Sequence, residues 1–204
     1  MDGADVFFVE RTERVALFLR RYSRGDRMCG KSDRGYCNGQ VFFCEAPAAR
    51  DEEGYLRDVN ADKPAHTDPR WPKACDACGT AFAEDDPFQL FQDQIMRAAD
   101  GREFRHRELP PGACYDAWWD PTKGSDGRSL VVILPTKRPW HIDHRASNCS
   151  MPDDKVHRCW VRHGRPEDGT LHVDKNGHTC AAGAGSIAAP GYHGFLHHGK
   201  LTAG

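Results

Sequence analysis

Hydrophobic residues fall in short runs separated by polar, turn-rich segments along the whole chain. Residues 129–134 are the most apolar and β-branched segment, and this composition predicts a central strand. Residues 40–45 predict a second strand, with Cys44 inside it. The runs at 6–9 and 15–19 fit either strands or a strand followed by a short helix, because periodicity does not separate these at such lengths. We therefore predict a mainly β fold, with an α+β fold as the alternative.

Turn signals group several of these runs into hairpins. An Asp-Gly pair at 100–101 lies between two alternating runs, which is a strong short-range hairpin signal. An Asn-Gly pair at 176–177 predicts a second hairpin within residues 171–180, and residues 192–201 predict a third. Residues 140–143 predict one more strand. The fold is thus expected to consist of short hairpins and loops organised around one or two structural zinc sites.

The chain offers few apolar residues for a hydrophobic core. Hydrophobic residues make up 39% of the 204 residues, and mean hydropathy is -0.71. The chain also has nine cysteines and eleven histidines, which suggests that cross-links or metal ions supply part of its stability. Residues 46–70 are polar and aperiodic. We predict an N-terminal zinc-knuckle region over residues 1–86 that contains this long loop, and a β-rich C-terminal region over residues 87–204.

A Cys-x-x-Cys pair followed by glycine, Cys75-Asp-Ala-Cys78-Gly79, is half of a zinc knuckle. The short loop turns both thiolates toward one ion, and the glycine accepts the backbone angle that the loop needs. Cys44 and His66 compete for the other half, but a cysteine inside an apolar strand is more often a small buried hydrophobic residue. We therefore predict a closed, structural four-thiolate zinc site, with the ligands Cys29, Cys37, Cys75 and Cys78.

The last third of the chain contains a second group of potential ligands. We predict a Cys/His zinc site there, with the ligands Cys149, His157, Cys159 and Cys180. Histidines beside turns are also commonly solvated, so the alternative is that no second ion binds. A second alternative is a metal-dependent hydrolase or nuclease that uses this cluster. Its general base would come from the nearby aspartates, namely Asp143, Asp153, Asp154 or Asp174.

One short segment is similar to the His-Asn-His nucleases. Asp143 and His144 are followed by Asn148 and His157, but the first pair and Asn148 are too close for the hairpin that separates them in that family. No Walker or Rossmann glycine pattern occurs, so we expect no nucleotide cofactor.

The charge pattern gives only a local argument for nucleic acid. The net charge is -2, yet residues 11–34 are markedly basic, and a solvated charged face competes with phosphate contact there. The candidate phosphate contacts are Arg20, Arg21, Arg24 and Arg27. No run reaches the length of a membrane span, and the N-terminus lacks the features of a signal peptide, so we expect a cytoplasmic protein with reduced thiols and no membrane partner.

Short segments that together span most of the chain carry a resemblance to known sequences, namely residues 70–72, 75–79, 115–119, 126–132, 142–143, 146–149, 159–164, 173–177, 182–187 and 192–196. In these segments the chain resembles a family of small uncharacterised, zinc-finger-like proteins encoded by phages and prophages of high-GC Gram-positive bacteria. The resemblance implies a phage or prophage origin and no particular activity. Together with the cysteine pattern, it leads us to expect a non-catalytic binding or structural protein in the host cytoplasm. Such a protein would bind a protein partner or self-assemble, and a capsid- or tail-associated virion component fits that description. A nucleic-acid-binding zinc-finger protein is the other alternative.

Overall fold

The computed structural model describes residues 3–24, 28–32, 35–146, 148–174, 180 and 185–204, and the fold they form is mainly β. The helical elements among the described residues are three single 3-10 turns, at Asn60–Asp62, His106–Glu108 and Pro166–Asp168. The strands are β1 (Ala4–Asp5), β2 (Phe7–Tyr22), β3 (Asn38–Pro47), β4 (Phe88–Ala98), β5 (Glu103–Arg105), β6 (Ala113–Asp116), β7 (Leu130–Ile133), β8 (Pro139–His141), β9 (Val161–His163), β10 (His172–Asp174), β11 (Ile187–Ala189), β12 (Tyr192–His197) and β13 (Lys200–Ala203).

The chain forms two compact units, and the long strands β2 and β4 contribute residues to both. The N-terminal unit comprises Arg11–Ile95 and Arg105–Arg107. The C-terminal unit comprises Met1–Glu10, Met96–Phe104 and Glu108–Gly204. The division of the chain into regions of residues 1–86 and 87–204 stays a prediction.

In the C-terminal unit, β7 is the buried central strand that the β-branched run at 129–134 predicts. Each of its four residues is buried, and it pairs antiparallel with β6 on one side and with β8 on the other. The first residues of β2 extend this arrangement by pairing in parallel with β6. Cys114 on β6 is fully buried in the apolar core beside Leu130 and Val132. Leu130 and Val132 pack in one apolar cluster and Val131 and Ile133 in another, so burial of both faces of the strand explains why this segment is apolar throughout.

A second sheet of the same unit has the strand order β1-β13-β12-β11. The β12–β13 hairpin is the one predicted within residues 192–201, and its turn places His198 and Gly199 at φ 46° and 69°. The Asp-Gly pair at 100–101 also lies in a turn, where Gly101 has φ 87° and donates its N–H to the Ala98 carbonyl. Both hairpin predictions are therefore confirmed.

The hairpin predicted within residues 171–180 lies only in part within the described residues. β10 pairs antiparallel with β9, so its described partner precedes it in the chain. The Asn-Gly pair at 176–177 and residues 178–179 lie outside the described residues. Among the described residues, no helix has the length and apolar character needed to cross a membrane.

In the N-terminal unit, β2 and β3 form a long antiparallel pair with a bulge between Leu17 and Phe18. The apolar runs at 6–9 and 15–19 belong almost entirely to one 16-residue strand, β2, which resolves the strand-or-helix alternative in favour of a strand. The charged residues between the two runs stay on the strand because it alternates exposed and covered positions there.

Candidate metal centres

Four cysteines of the N-terminal unit converge on one point. Their sulfur atoms all lie within 4.8 Å of one another. The Cys29 and Cys75 sulfurs are 4.0 Å apart, and those of Cys37 and Cys78 are 3.7 Å apart. A tetrahedral ion with metal–sulfur bonds of about 2.3 Å requires sulfur–sulfur separations of about 3.8 Å. The cluster therefore fits a single tetrahedral ion and could hold zinc.

Two tight loops bring these sulfurs together. In the knuckle, Gly79 has φ 74° and donates its N–H to the Cys75 carbonyl, which gives the turn predicted for the Cys-x-x-Cys-Gly segment. In the other loop, the Cys29 N–H binds the Gly35 carbonyl, and Cys37 directly precedes β3. The loop that ends at Cys37 thus continues into a strand that is already paired, and this pairing fixes one side of the cluster.

The knuckle packs closely on the start of β3. A Cβ atom added to Gly39 would lie 2.6 Å from the Ala74 carbonyl oxygen, so only glycine allows this approach. The Asn38 N–H lies 3.4 Å from the Cys75 sulfur, and the Gln40 N–H binds the Asp76 carboxylate. These contacts attach the knuckle to the strand without the help of an ion.

The four thiols differ in how readily they ionise. The Thr80 hydroxyl and backbone N–H lower the pKa of Cys78 to about 6, whereas burial raises the pKa of Cys37 to about 12. An ion binds thiolates, so it must displace protons from the cluster when it enters. Of the Cys37 and Cys78 thiols, that of Cys78 gives up its proton more readily.

The alternatives for this cluster lie elsewhere. Cys44 packs in an apolar cluster with Leu17 and Trp71, as expected for a cysteine inside a strand. His66 stacks on the Phe88 ring with centroids 4.3 Å apart. Neither residue joins the four-cysteine group.

The C-terminal unit contains the second predicted group, in which the ligand atoms of all four residues also lie within 4.8 Å of one another. Its members are Cys149, His157, Cys159 and Cys180. His157 and Cys159 are almost fully buried. The Ala146 N–H lies 3.3 Å from the Cys159 sulfur, and the Met151 N–H lies 3.4 Å from the Cys149 sulfur. The Met151 N–H lowers the pKa of Cys149, while burial raises that of Cys159 to about 11. Three sulfurs and one ring nitrogen form a complete tetrahedral set for a structural ion.

The loop that carries Cys149, His157 and Cys159 is held by one arginine. The Arg145 guanidinium donates to the carbonyls of Met151, Pro152 and Asp154. The Asp154 carboxylate accepts the N–H groups of the two residues before Arg158. These bonds shape a loop whose described residues form no strand.

A third group was missed by the sequence reasoning. Asp120, His141 and His144 place one ligand atom each within 4.8 Å of the others. Asp120 Oδ2 is 2.5 Å from His144 Nε2 and 3.3 Å from His141 Nδ1, and the two imidazole rings stack with centroids 4.2 Å apart. The signal available in the sequence is the spacing His-x-x-His, the histidine equivalent of the knuckle. The carboxylate lies 21 positions earlier and has no local signal.

The predicted catalytic alternatives are not assembled. Asp143 forms an ion pair with Arg162, both side chains being buried, and it also accepts the Leu130 N–H. It is therefore a structural group instead of a free general base. His144 belongs to the third group and His157 to the Cys/His cluster, so the two histidines of the His-Asn-His pattern belong to different ligand groups.

The remaining candidate bases belong to none of the three ligand groups found among the described residues. Asp154 is held within its loop, and Asp174 Oδ2 lies 4.0 Å from His172 Nε2. Asp153 is exposed.

The basic segment is less available to phosphate than its sequence suggests. The Arg20 guanidinium binds Asn38, Gln89 and Tyr36 side chains. Arg21 is buried, donates to the Ala83 carbonyl and lies over the Phe82 and Phe88 rings. Arg24 is exposed, and Arg27 lies outside the described residues. Nucleic-acid binding by this segment stays a prediction.

Comparison of the chain with known protein families, with characterised proteins and with solved structures gives no match. Inferences about its function therefore rest on the residues and geometry described above.

Proposed function

We propose that this chain is a zinc-stabilised, non-catalytic module that holds one structural zinc ion in each of its two units. The observation that carries the proposal is the composition of the two four-ligand clusters, because four protein ligands close a tetrahedral shell. Thiolate-rich tetrahedral sets favour zinc, or iron, over magnesium and calcium, which prefer oxygen ligands. A closed shell offers no position for a substrate, so these ions act on stability.

Burial supports the same assignment. In the cluster of the N-terminal unit, Cys29, Cys37 and Cys75 are each at most 6% exposed. In the cluster of the C-terminal unit, Cys159 and Cys180 are at most 4% exposed. Ions at such positions would be covered by protein, as structural ions are. The same geometry argues against the alternative of a hydrolase centred on the Cys/His cluster.

The deciding experiment is metal analysis of the purified full-length chain. We expect two zinc ions per chain that survive dialysis. The X-ray absorption spectrum, summed over the two sites, should show sulfur and nitrogen ligands in a ratio of seven to one. A metal-free folded protein would contradict the proposal. So would oxygen-dominated coordination, or a coloured protein with iron in place of zinc.

We further propose that the module acts by binding another protein, or copies of itself, in a phage-encoded assembly. Exposed apolar side chains on β3 support a protein contact, since Val41 is 42% exposed and Phe42 is 56% exposed. Mass spectrometry of particles purified from the strain that encodes the chain tests a virion role. Absence of the protein from those particles would restrict it to a role inside the host cell.

A further inference from the structure

Among the described residues, the third ligand group brings together three potential protein ligands, one fewer than each of the other two groups. Asp120 follows a turn in which its own N–H binds the Ala117 carbonyl, and its Oδ1 accepts the Thr122 N–H at 2.8 Å. This leaves Oδ2 directed at the two histidines. His141 ends β8, and His144 follows one turn later, so their rings stack beside the carboxylate.

The separations between the ligand atoms suit a small divalent ion once one of them lengthens slightly. Nitrogen and oxygen ligands at about 2.1 Å from an ion lie about 3.0–3.4 Å from each other. The separation between Asp120 Oδ2 and His141 Nδ1, 3.3 Å, already meets this condition. The 2.5 Å separation from His144 Nε2 must lengthen by less than about 1 Å, which a side-chain rotation provides.

One ring nitrogen of the group lacks a hydrogen bond. His141 Nδ1 is buried and makes no hydrogen bond within the described part of the chain, although Asp120 Oδ2 lies 3.3 Å from it. A buried nitrogen without a hydrogen bond loses its hydration and gains nothing in return. Coordination to an ion would satisfy its lone pair.

The group opens on a pocket of the C-terminal unit. His141 and His144 line a cavity of about 470 Å³, whose wall also includes Trp140, Trp160 and Asn148. Catalytic zinc sites have three protein ligands and keep a further position for water or substrate, whereas structural sites are closed. The pocket supplies the space that such an open position requires.

We propose that Asp120, His141 and His144 hold a third, exchangeable divalent transition-metal ion, whose remaining positions are taken by water or by an oxygen-donor ligand in the pocket. Two imidazoles and one carboxylate suit zinc and its neighbours in the first transition row. An ion in such a site makes its bound water more acidic, which is the chemistry of hydrolytic metal centres. This inference goes beyond the two structural ions, and it places any reactive metal outside the cysteine clusters.

Cobalt(II) added to the zinc-loaded, full-length chain tests the proposal. We expect one cobalt ion to bind per chain, while both structural zinc ions stay in place. Its visible spectrum should lack the intense near-ultraviolet band of sulfur-to-cobalt charge transfer, since no thiolate belongs to the site. His144→Ala and His141→Ala should each weaken this binding at least about tenfold. His193→Ala, which removes an exposed histidine on β12 of the same unit, should bind cobalt as the unchanged protein does.

The open position is tested with acetohydroxamate, a chelating oxygen donor. It should shift the visible bands of the bound cobalt in the unchanged protein and in the His193→Ala variant. Failure of the zinc-loaded chain to take up cobalt would overturn the proposal. So would binding that survives His144→Ala, or bands that do not respond to acetohydroxamate. Zinc content is measured in every sample, so these failures are distinct from a failure of the two structural sites.

Discussion

The two four-ligand clusters offer similar chemistry but are built on different kinds of backbone. The cluster of Cys29, Cys37, Cys75 and Cys78 adjoins β3, and backbone N–H groups and a glycine contact attach the knuckle to that strand. The cluster of Cys149, His157, Cys159 and Cys180 draws three ligands from the segment between β8 and β9, whose described residues form no strand or helix.

The difference implies that ions bound at the two clusters would have different structural roles. In the N-terminal unit an ion would join two loops to a strand pair that carries much of the core of that unit. In the C-terminal unit an ion would organise a loop beside a core whose members lie mostly outside that loop. We therefore expect loss of the first ion to spread through its unit and loss of the second to stay local.

The largest effect is expected for Cys75→Ser. Apparent binding free energies of structural zinc are about 10–16 kcal/mol, comparable to the whole stability of a domain. The variant should lose one zinc ion, and amide hydrogen exchange should show unfolding across β3 and the knuckle. Cys44→Ser is the matched control, because Cys44 lies on β3 outside the cluster. A Cys75→Ser protein with native zinc content and native thermal stability would refute the structural role of the knuckle.

A smaller effect is expected for Cys159→Ser. This variant should also lose one zinc ion, but hydrogen exchange should accelerate only over residues 144–160, while β7 and β12 stay protected. The physical reason is that the core of this unit is formed by apolar side chains that do not belong to the cluster. Because Cys159→Ser and Cys75→Ser should each lose one ion, any difference in hydrogen exchange between them reports the different roles of the two clusters. Equal unfolding of β7 would remove the distinction between the two clusters.

The smallest effect is expected for Gly39→Ala, which tests the strand contact independently of the ion. The added methyl group would lie 2.6 Å from the Ala74 carbonyl oxygen, and overpacking of this kind costs typically about 1–3 kcal/mol. Chemical denaturation should report this loss while the zinc content stays unchanged. Gly30→Ala, in the same unit, is the control because a Cβ there contacts nothing within 4 Å. Equal stability of the two variants would show that the knuckle does not need its close approach to β3.

The sequence predicts those parts of the fold and the clusters that depend on local signals. The β-branched run of β7, the Asp-Gly turn near Gly101 and the knuckle at Cys75 all follow from short patterns, and the structure has each of them. The length of β2 could not be predicted in this way, because its apolar runs are separated by charged residues on the same strand. Only the strand pairing shows that both runs belong to one element.

The third ligand group shows where the local signals end. Asp143 and His144 are adjacent and look like a functional pair in the sequence. In the structure, Asp143 forms an ion pair with Arg162, whereas His144 contacts Asp120. The carboxylate that matters for the group comes from the turn after β6, and only folding brings it to the histidines. A pattern in the sequence cannot tell that Asp143 pairs with an arginine while Asp120 faces the histidines.

The tryptophan pair beside the third group also gives the protein a built-in optical reporter. Trp140 and Trp160 both line the pocket, and their ring centroids are 5.3 Å apart. The Trp160 indole N–H donates to the Ile142 carbonyl, and its ring lines the same pocket as His141. A paramagnetic ion bound in this pocket would quench the emission of both tryptophans. Occupancy of the pocket can thus be followed in the unlabelled protein by its own fluorescence.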